Sequence, residues 1–175
     1  MATAASIERF LIESGVRYGV VTHQHSESSL GSVLAAKLLP DKVTKGVVLK
    51  ENEKYALAVL PASYKLDLDW LRSQTGRPYQ LARESEVERV FHDCAPGAVP
   101  AVGAVYGLET VVESSLREQA ELYLEAGDHE ELIDRAGVRE AVGRCPVLPL
   151  RAALRRRTVP VQLAPTQYKQ KSVPN

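Results

Sequence analysis

An α+β fold, a single domain with a mixed or mostly antiparallel sheet and surrounding helices, is what this 175-residue chain predicts. Two apolar runs of strand length, VTKGVVLK and KYALAVLP, are joined by the short polar segment ENE, the spacing of a β-hairpin. Further strand-like runs follow the hairpin, while helical patterns stand at the two ends and between the strands, an order that suits α+β packing. Hydrophobic residues make up 45% and charged residues 25%, enough apolar material at this length for one core.

Each element has its own signal. Ile7, Phe10 and Leu11 recur at helical spacing behind Ser6, a capping residue type, and Gly15 stops the pattern. Residues 16–22, VRYGVVT, are β-branched and aromatic and predict a strand. The polar run HQHSESS leads into LGSVLAAKLL, a second helix ended by Pro40 and Asp41. After the hairpin, LDLDWLRSQTG reads as a short helix capped by Asp67 and closed at Gly76, and ARESEVERVF as another with Val87, Val90 and Phe91 on one face. The segment DCAPGAVPAVGAVYG holds two prolines and three glycines, which neither a helix nor a regular strand tolerates, so it is a long loop. LETVVESS and AELYLEAG read as strands, HEELIDR as a third strand or one helical turn, and VREAVGR as a weak helix. Residues 1–157 form the expected domain, and residues 158–175, with Pro160, Pro165 and three glutamines, an irregular basic tail.

Several classes are excluded. The longest apolar stretch, around Ala56 to Pro61, is far short of the ~20 residues a membrane helix needs. The N-terminus lacks a basic region followed by an apolar one, so export is not expected. Cys94 and Cys145 form no CxxC pair, which suggests neither a zinc site nor a disulfide framework and fits a reducing cytoplasm. No GxGxxG or GxxxxGK pattern is present. The 22 basic and 22 acidic residues are unevenly spread. Residues 151–175 hold Arg151, Arg155, Arg156, Arg157, Lys169 and Lys171 and no acid, leaving 16 basic against 22 acidic residues in 1–150. Such a segment suits phosphates, or else a dipole-stabilised helix end and a solvated tail.

The candidate chemistry is sparse. Lys45, at the head of the first hairpin strand with Gly46 beside it, offers a compact cation for a phosphate or polarised carbonyl, or is a solvated strand lysine. The loop PGAVPAVG, residues 96–103, combines glycines that allow close approach with prolines that fix the backbone, so it can present preorganised amide donors or be a plain connection. Cys94 beside it has no identifiable base and reads as a small buried hydrophobe. His23 and His25 alternate as strand ligands would, but no third ligand can be named. His92 precedes the loop, and His129 follows a strand and a glycine turn, where side chains often face a cleft.

The order VTKGVVLK, KYALAVLPA, DCAPGAVPAVG, then a strand and EAGDHEELI, resembles the YbaK/prolyl-tRNA editing domain family over about residues 5–150. The resemblance implies a mixed α+β globule around a curved, largely antiparallel sheet. It implies a cytoplasmic, trans-acting aminoacyl-tRNA deacylase, a hydrolase of the ester between a wrong, small amino acid and the terminal adenosine of tRNA. Lys45 would orient the terminal nucleotide, and the Gly97–Gly103 loop, with Gly97 and Pro100, would place backbone amides at the substrate carbonyl. Gly46, Ala101, Gly103 and His129 join them as implied substrate contacts. No metal or cofactor is implied, and aminoacyl-tRNA and an aminoacyl-tRNA synthetase are the implied partners. The family loop commonly carries a second proline where Ala101 stands and an aromatic where Val102 stands. A non-catalytic tRNA- or synthetase-binding module with the same fold is the alternative.

Overall fold

The computed structural model describes residues 3–15, 17–135, 147–148 and 168–171. Helix α1 (Ala5–Glu13) buries Ile7 and Leu11 and ends at Ser14, before Gly15 at φ 64°. Ser6 does not cap it. The helix follows Ala4 with no side-chain cap, and the Ser6 N–H donates instead to Asp93 Oδ2 at 2.8 Å, so a remote carboxylate satisfies an orphan donor of the first turn. After β1 (Tyr18–Thr22), helix α2 (Ser29–Ala36) starts at Ser28, whose hydroxyl accepts from Gly31 N at 3.1 Å. It stops earlier than Pro40, because Lys37 turns left-handed (φ 57°) and the Lys37 and Leu38 amides close back on Leu34 O and Val33 O.

The hairpin is β2 (Thr44–Glu51) and β3 (Lys54–Pro61), paired from Thr44↔Pro61 to Glu51↔Lys54 around the turn residues Asn52 and Glu53. Helix α3 (Leu68–Thr75) has the predicted ends: Asp67 accepts from Trp70 N at 2.9 Å, and Gly76 sits at φ 66°. β4 (Gln80–Leu81) and α4 (Glu84–Val90) follow, then a 3-10 turn at Gly103–Tyr106 inside the expected loop. The LETVVESS strand is β5 (Glu109–Glu113) and gives way to a second 3-10 turn, Ser114–Glu118. β6 (Tyr123–Glu125) lies in AELYLEAG, and β7 (Glu131–Arg135) makes HEELIDR a strand. β8 (Val147–Leu148) and β9 (Tyr168–Lys171) complete the described strands. VREAVGR and most of residues 158–175 lie outside the described residues, but Tyr168–Lys171, expected to be irregular, is a strand.

The strands form two sheets. One, β6-β7-β1-β9, is antiparallel throughout. The other, β4-β2-β3-β5-β8, is antiparallel through the hairpin and parallel from β3 onward. A parallel bridge between Val43 and Tyr123 ties the approach to β2 to β6. β3, inside the five-stranded sheet, is buried on both faces from Ala56 to Pro61, its alternate residues packing to opposite sides. Ala56, Ala58 and Leu60 pack with Leu71 of α3 and Tyr79. Leu57 and Val59 pack with Ile7, Leu11, Phe91 and the other sheet's Leu124 and Ile133. Full burial of each such leucine contributes about 1.5–3 kcal/mol.

Candidate active site

The exposed part of the Gly/Pro loop is one tight turn. The Ala98 N–H donates to Ala95 O at 3.0 Å across Pro96 and Gly97, and Gly97 has φ 81°. These are the hydrogen bond and glycine conformation of a type II turn, with proline and glycine where that turn wants them. The Ala95 N–H donates to Gly127 O at 2.7 Å, which fastens the turn to the β6–β7 connection.

His129 lies in that connection, itself left-handed at φ 63°, a conformation that costs a non-glycine residue about 1–2 kcal/mol. Its ring sits under the turn: a Cβ on Gly97 would be 3.6 Å from Nε2. Nε2 is 2.8 Å from Pro96 O, and because a carbonyl only accepts, the proton is on Nε2 and donated there. Nδ1 is buried with no hydrogen-bond partner among the described residues. The Pro96–Gly97 peptide is trans, so its C=O and N–H point in opposite directions. Holding the carbonyl on His129 therefore aims the Gly97 N–H away from the ring, on the exposed side of the turn.

His129 is held in turn by Glu125, the last residue of β6 and only 5% exposed. Glu125 Oε1 accepts from His129 N at 3.0 Å and Oε2 from Ser32 Oγ at 3.2 Å. Ser32 Oγ is 2.8 Å from Ser26 Oγ, and Ser26 N donates back to His129 O at 3.2 Å. Burial pushes the Glu125 carboxyl up, opposed in part by the His129 N–H bond and by its neighbours His129, His23 and Ser32. His23 is also buried; its Nδ1 donates to Gln24 O at 2.7 Å. His25 is exposed and meets the His129 ring edge-on at 5.6 Å. His92 is exposed. Glu125, Ser26 and Ser32 were not legible as site residues; the polar run before α2 and a glutamate closing an apolar strand were the only traces.

Lys45 and Gly46 divide their tasks. Strand alternation puts them on opposite faces of β2. The Lys45 ammonium donates to the carbonyls of Ala62 (3.4 Å) and Tyr64 in the segment leaving β3. Gly46 meets the loop: a Cβ there would lie 2.8 Å from Val99 Cγ1 and 3.0 Å from Leu57 Cδ1. The rest of the loop is its buried root. Pro100 and Gly103 are buried, a Cβ on Gly103 would collide with Thr110 Oγ1, and Ala101 and Val102 belong to the main core at 2% and 4% exposure. Their side chains pack in the core and seat the loop. Cys94 is no nucleophile here: burial pushes its thiol up to about 12, and Sγ lies 3.3 Å from Tyr106 Oη. Among the described residues no group of three or more His, Cys, Asp or Glu is arranged to hold a metal ion.

The sequence profile of the aminoacyl-tRNA editing domain matches residues 27–136, more than half of the chain. The chain belongs to the aminoacyl-tRNA editing domain family. The matched part of the editing domain takes in α2, Lys45, Gly46, the whole loop, Glu125 and His129, and leaves out α1 and β1. Solved structures share the fold. A proposed trans-editing enzyme for prolyl-tRNA synthetase superposes with a TM-score of 0.70 at 20% identity, over 88% of this chain and 97% of its own. A hypothetical protein gives 0.70 at 18% identity, over 81% and 97%. A proposed signal transduction protein from Marinobacter aquaeolei VT8 gives 0.66 at 16% identity over 82% of this chain, which spans only 29% of that longer one. No curated protein matches this chain in sequence. No helix among its described residues is long and apolar enough to cross a membrane.

Proposed function

We propose that this editing domain is a trans-acting deacylase that hydrolyses the ester linking a small, wrongly attached amino acid to the terminal adenosine of tRNA. The observation that carries the reading is the Pro96–Gly97 peptide, whose carbonyl is taken by His129 Nε2 at 2.8 Å, so that the Gly97 N–H faces outward from an exposed turn. An amide fixed in that way is a donor for the oxyanion that develops when water attacks an ester carbonyl; one such donor supplies about 10²–10³ in rate. An aminoacyl ester is already activated, so positioning and one or two donors do most of what is needed. In this scheme water adds to the carbonyl carbon, the ester C–O bond breaks, and the proton passes to the departing ribose oxygen, with the neighbouring ribose hydroxyl assisting. Lys45, its ammonium steadied by the Ala62 and Tyr64 carbonyls, binds the terminal nucleotide's phosphate. Gly46, Val99 and Pro100 set the turn's height above the strand. The solved neighbour's link to prolyl-tRNA synthetase makes a synthetase a fitting partner, and the cytoplasm, where tRNA is charged, the place of action.

Alanine, serine, cysteine and threonine esters of tRNA, offered to the intact protein and to Lys45→Ala, test this. Hydrolysis of one or two esters by the intact protein, cut by orders of magnitude in Lys45→Ala with tRNA retention little changed, is the expected result. tRNA binding with no ester hydrolysed overturns it in favour of a non-catalytic binding module.

A further inference from the structure

Glutamate at the end of a short strand ordinarily faces water, yet Glu125 is buried, and both of its oxygens are engaged. The bonds close into a ring. His129 N donates to Oε1, Ser26 N donates to His129 O, and Ser32 Oγ donates to Oε2. With its own proton given to Glu125, Ser32 takes the Ser26 hydroxyl proton across 2.8 Å, so the chain of hydroxyls runs in one direction and ends on the carboxylate. The ring joins β6, the turn after it and the start of α2. What it encloses is the backbone of His129, the residue whose left-handed conformation brings the imidazole under the loop. Burying a carboxylate is costly, and an apolar side chain of the same volume would pack there without that cost, so the acceptor itself has a task.

We infer that Glu125 is a positioning residue for the ester-binding turn: through the His129 backbone it sets the imidazole that holds the Pro96 carbonyl, and thereby the direction of the Gly97 N–H. This rests on the deacylase reading above. What matters in this role is an acceptor for the His129 N–H. Glutamine can supply one, placing its amide donors toward Ser32, whose hydroxyl then donates to Ser26. Methionine of similar length supplies none, and aspartate is one methylene too short to reach.

The test compares Glu125→Met, Glu125→Asp and Glu125→Gln with the intact protein. Thermal melting reports folding, deacylation of the tRNA ester panel gives kcat and KM, and the His129 Nε2–H resonance of isotope-labelled protein reports the bond to Pro96. Expected is a loss on the order of 100-fold in kcat for Glu125→Met, with KM changed far less, because a misplacement of about 1 Å costs that much. The Nε2–H resonance is lost with it. Glu125→Asp moves both in the same direction, and Glu125→Gln stays within about tenfold of the intact protein with the resonance kept. A folded Glu125→Met or Glu125→Asp with unchanged kcat, or with kcat lost while the resonance persists, overturns the inference. Should Glu125→Met not fold, Glu125→Asp decides by the same two readouts. If the intact protein hydrolyses no ester, the deacylase reading falls, while the resonance still judges whether Glu125 holds His129 on the loop.

Discussion

Gly46 and Val99 meet with no room for another atom: a Cβ on residue 46 would stand 2.8 Å from Val99 Cγ1. This contact, made by strand β2 with the loop, fixes how high the Pro96–Gly97 turn rides. Gly46→Ala should therefore lift the loop, lower deacylation about ten- to hundredfold and cost about 1–3 kcal/mol in stability, the usual penalty of overpacking. Adding Val99→Ala should restore most of the activity, since it removes the nearer of the two crowding atoms and leaves only the end of the Leu57 side chain to give way. Melting and ester hydrolysis of the single and double variants check this; a double variant no better than Gly46→Ala would show that the contact is not what matters.

Cys94 should be chemically silent in the folded protein. With its thiol pushed up to about 12 by burial, it carries on the order of a thousandfold less thiolate at neutral pH than an ordinary cysteine. In a Cys145→Ser background, a thiol-specific reagent should label Cys94 slowly in the native state and fully in denaturant. Fast labelling of native protein would refute the assignment of Cys94 as a structural residue.

The pH dependence of stability has a defined local contribution at Glu86. The hydrogen bond from Lys50 at 2.7 Å, helped by the Arg83 N–H and the Tyr55 hydroxyl, holds its carboxyl down at about 2, while the same contact raises Lys50. A carboxyl depressed by folding stabilises above its ordinary value of 4.5, and that contribution is lost as pH falls toward about 2. The difference in melting temperature between the intact protein and Glu86→Gln should thus be steady near neutrality and shrink on acidification below 4.5. A difference independent of pH would count against the ion pair.

The basic segment can be tested without cutting it off. Deleting residues 151–175 would also remove β9, which pairs with β1 from Tyr18↔Lys171 to Val21↔Tyr168. Replacing Arg155, Arg156 and Arg157 by glutamine leaves that strand in place. If the three contact tRNA phosphates, the slope of log binding constant against log salt should become shallower by about two to three. An unchanged slope would mean that these arginines do not touch the RNA.

Much of the fold was legible because its signals are local. The ENE turn between two apolar runs gave the hairpin, and Asp67 and Gly76 marked the ends of α3 correctly, since caps and turns depend on neighbours a few residues away. Ser6 misled because the carboxylate that serves its helix belongs to Asp93, far along the chain. One sheet was expected and two are present, because the parallel pairing of β3 with β5 and the antiparallel pairing of β1 with β7 leave no local trace. In the site, the Gly/Pro loop stood out by its composition, while Lys45, Gly46 and His129 were singled out through the family resemblance. The ring through Glu125, Ser26 and Ser32 did not stand out, as a serine or glutamate in sequence reads as surface until packing buries it.

The pairing of β1 also orders the birth of the molecule. As the chain is synthesised, β2 and β3 find each other at once, whereas Val20 waits for Ile133 before it has a neighbour on one side and for Lys169 on the other. Contacts so distant in sequence form late, because a long loop must close before they return any stabilisation. Until then Val20 and Val21, buried in the finished protein, belong to an unpaired strand open to foreign partners. Local pairing favours the hairpin ahead of the four-stranded sheet, and His129, two residues ahead of β7, takes its place beneath the loop only once β6 and β7 are paired.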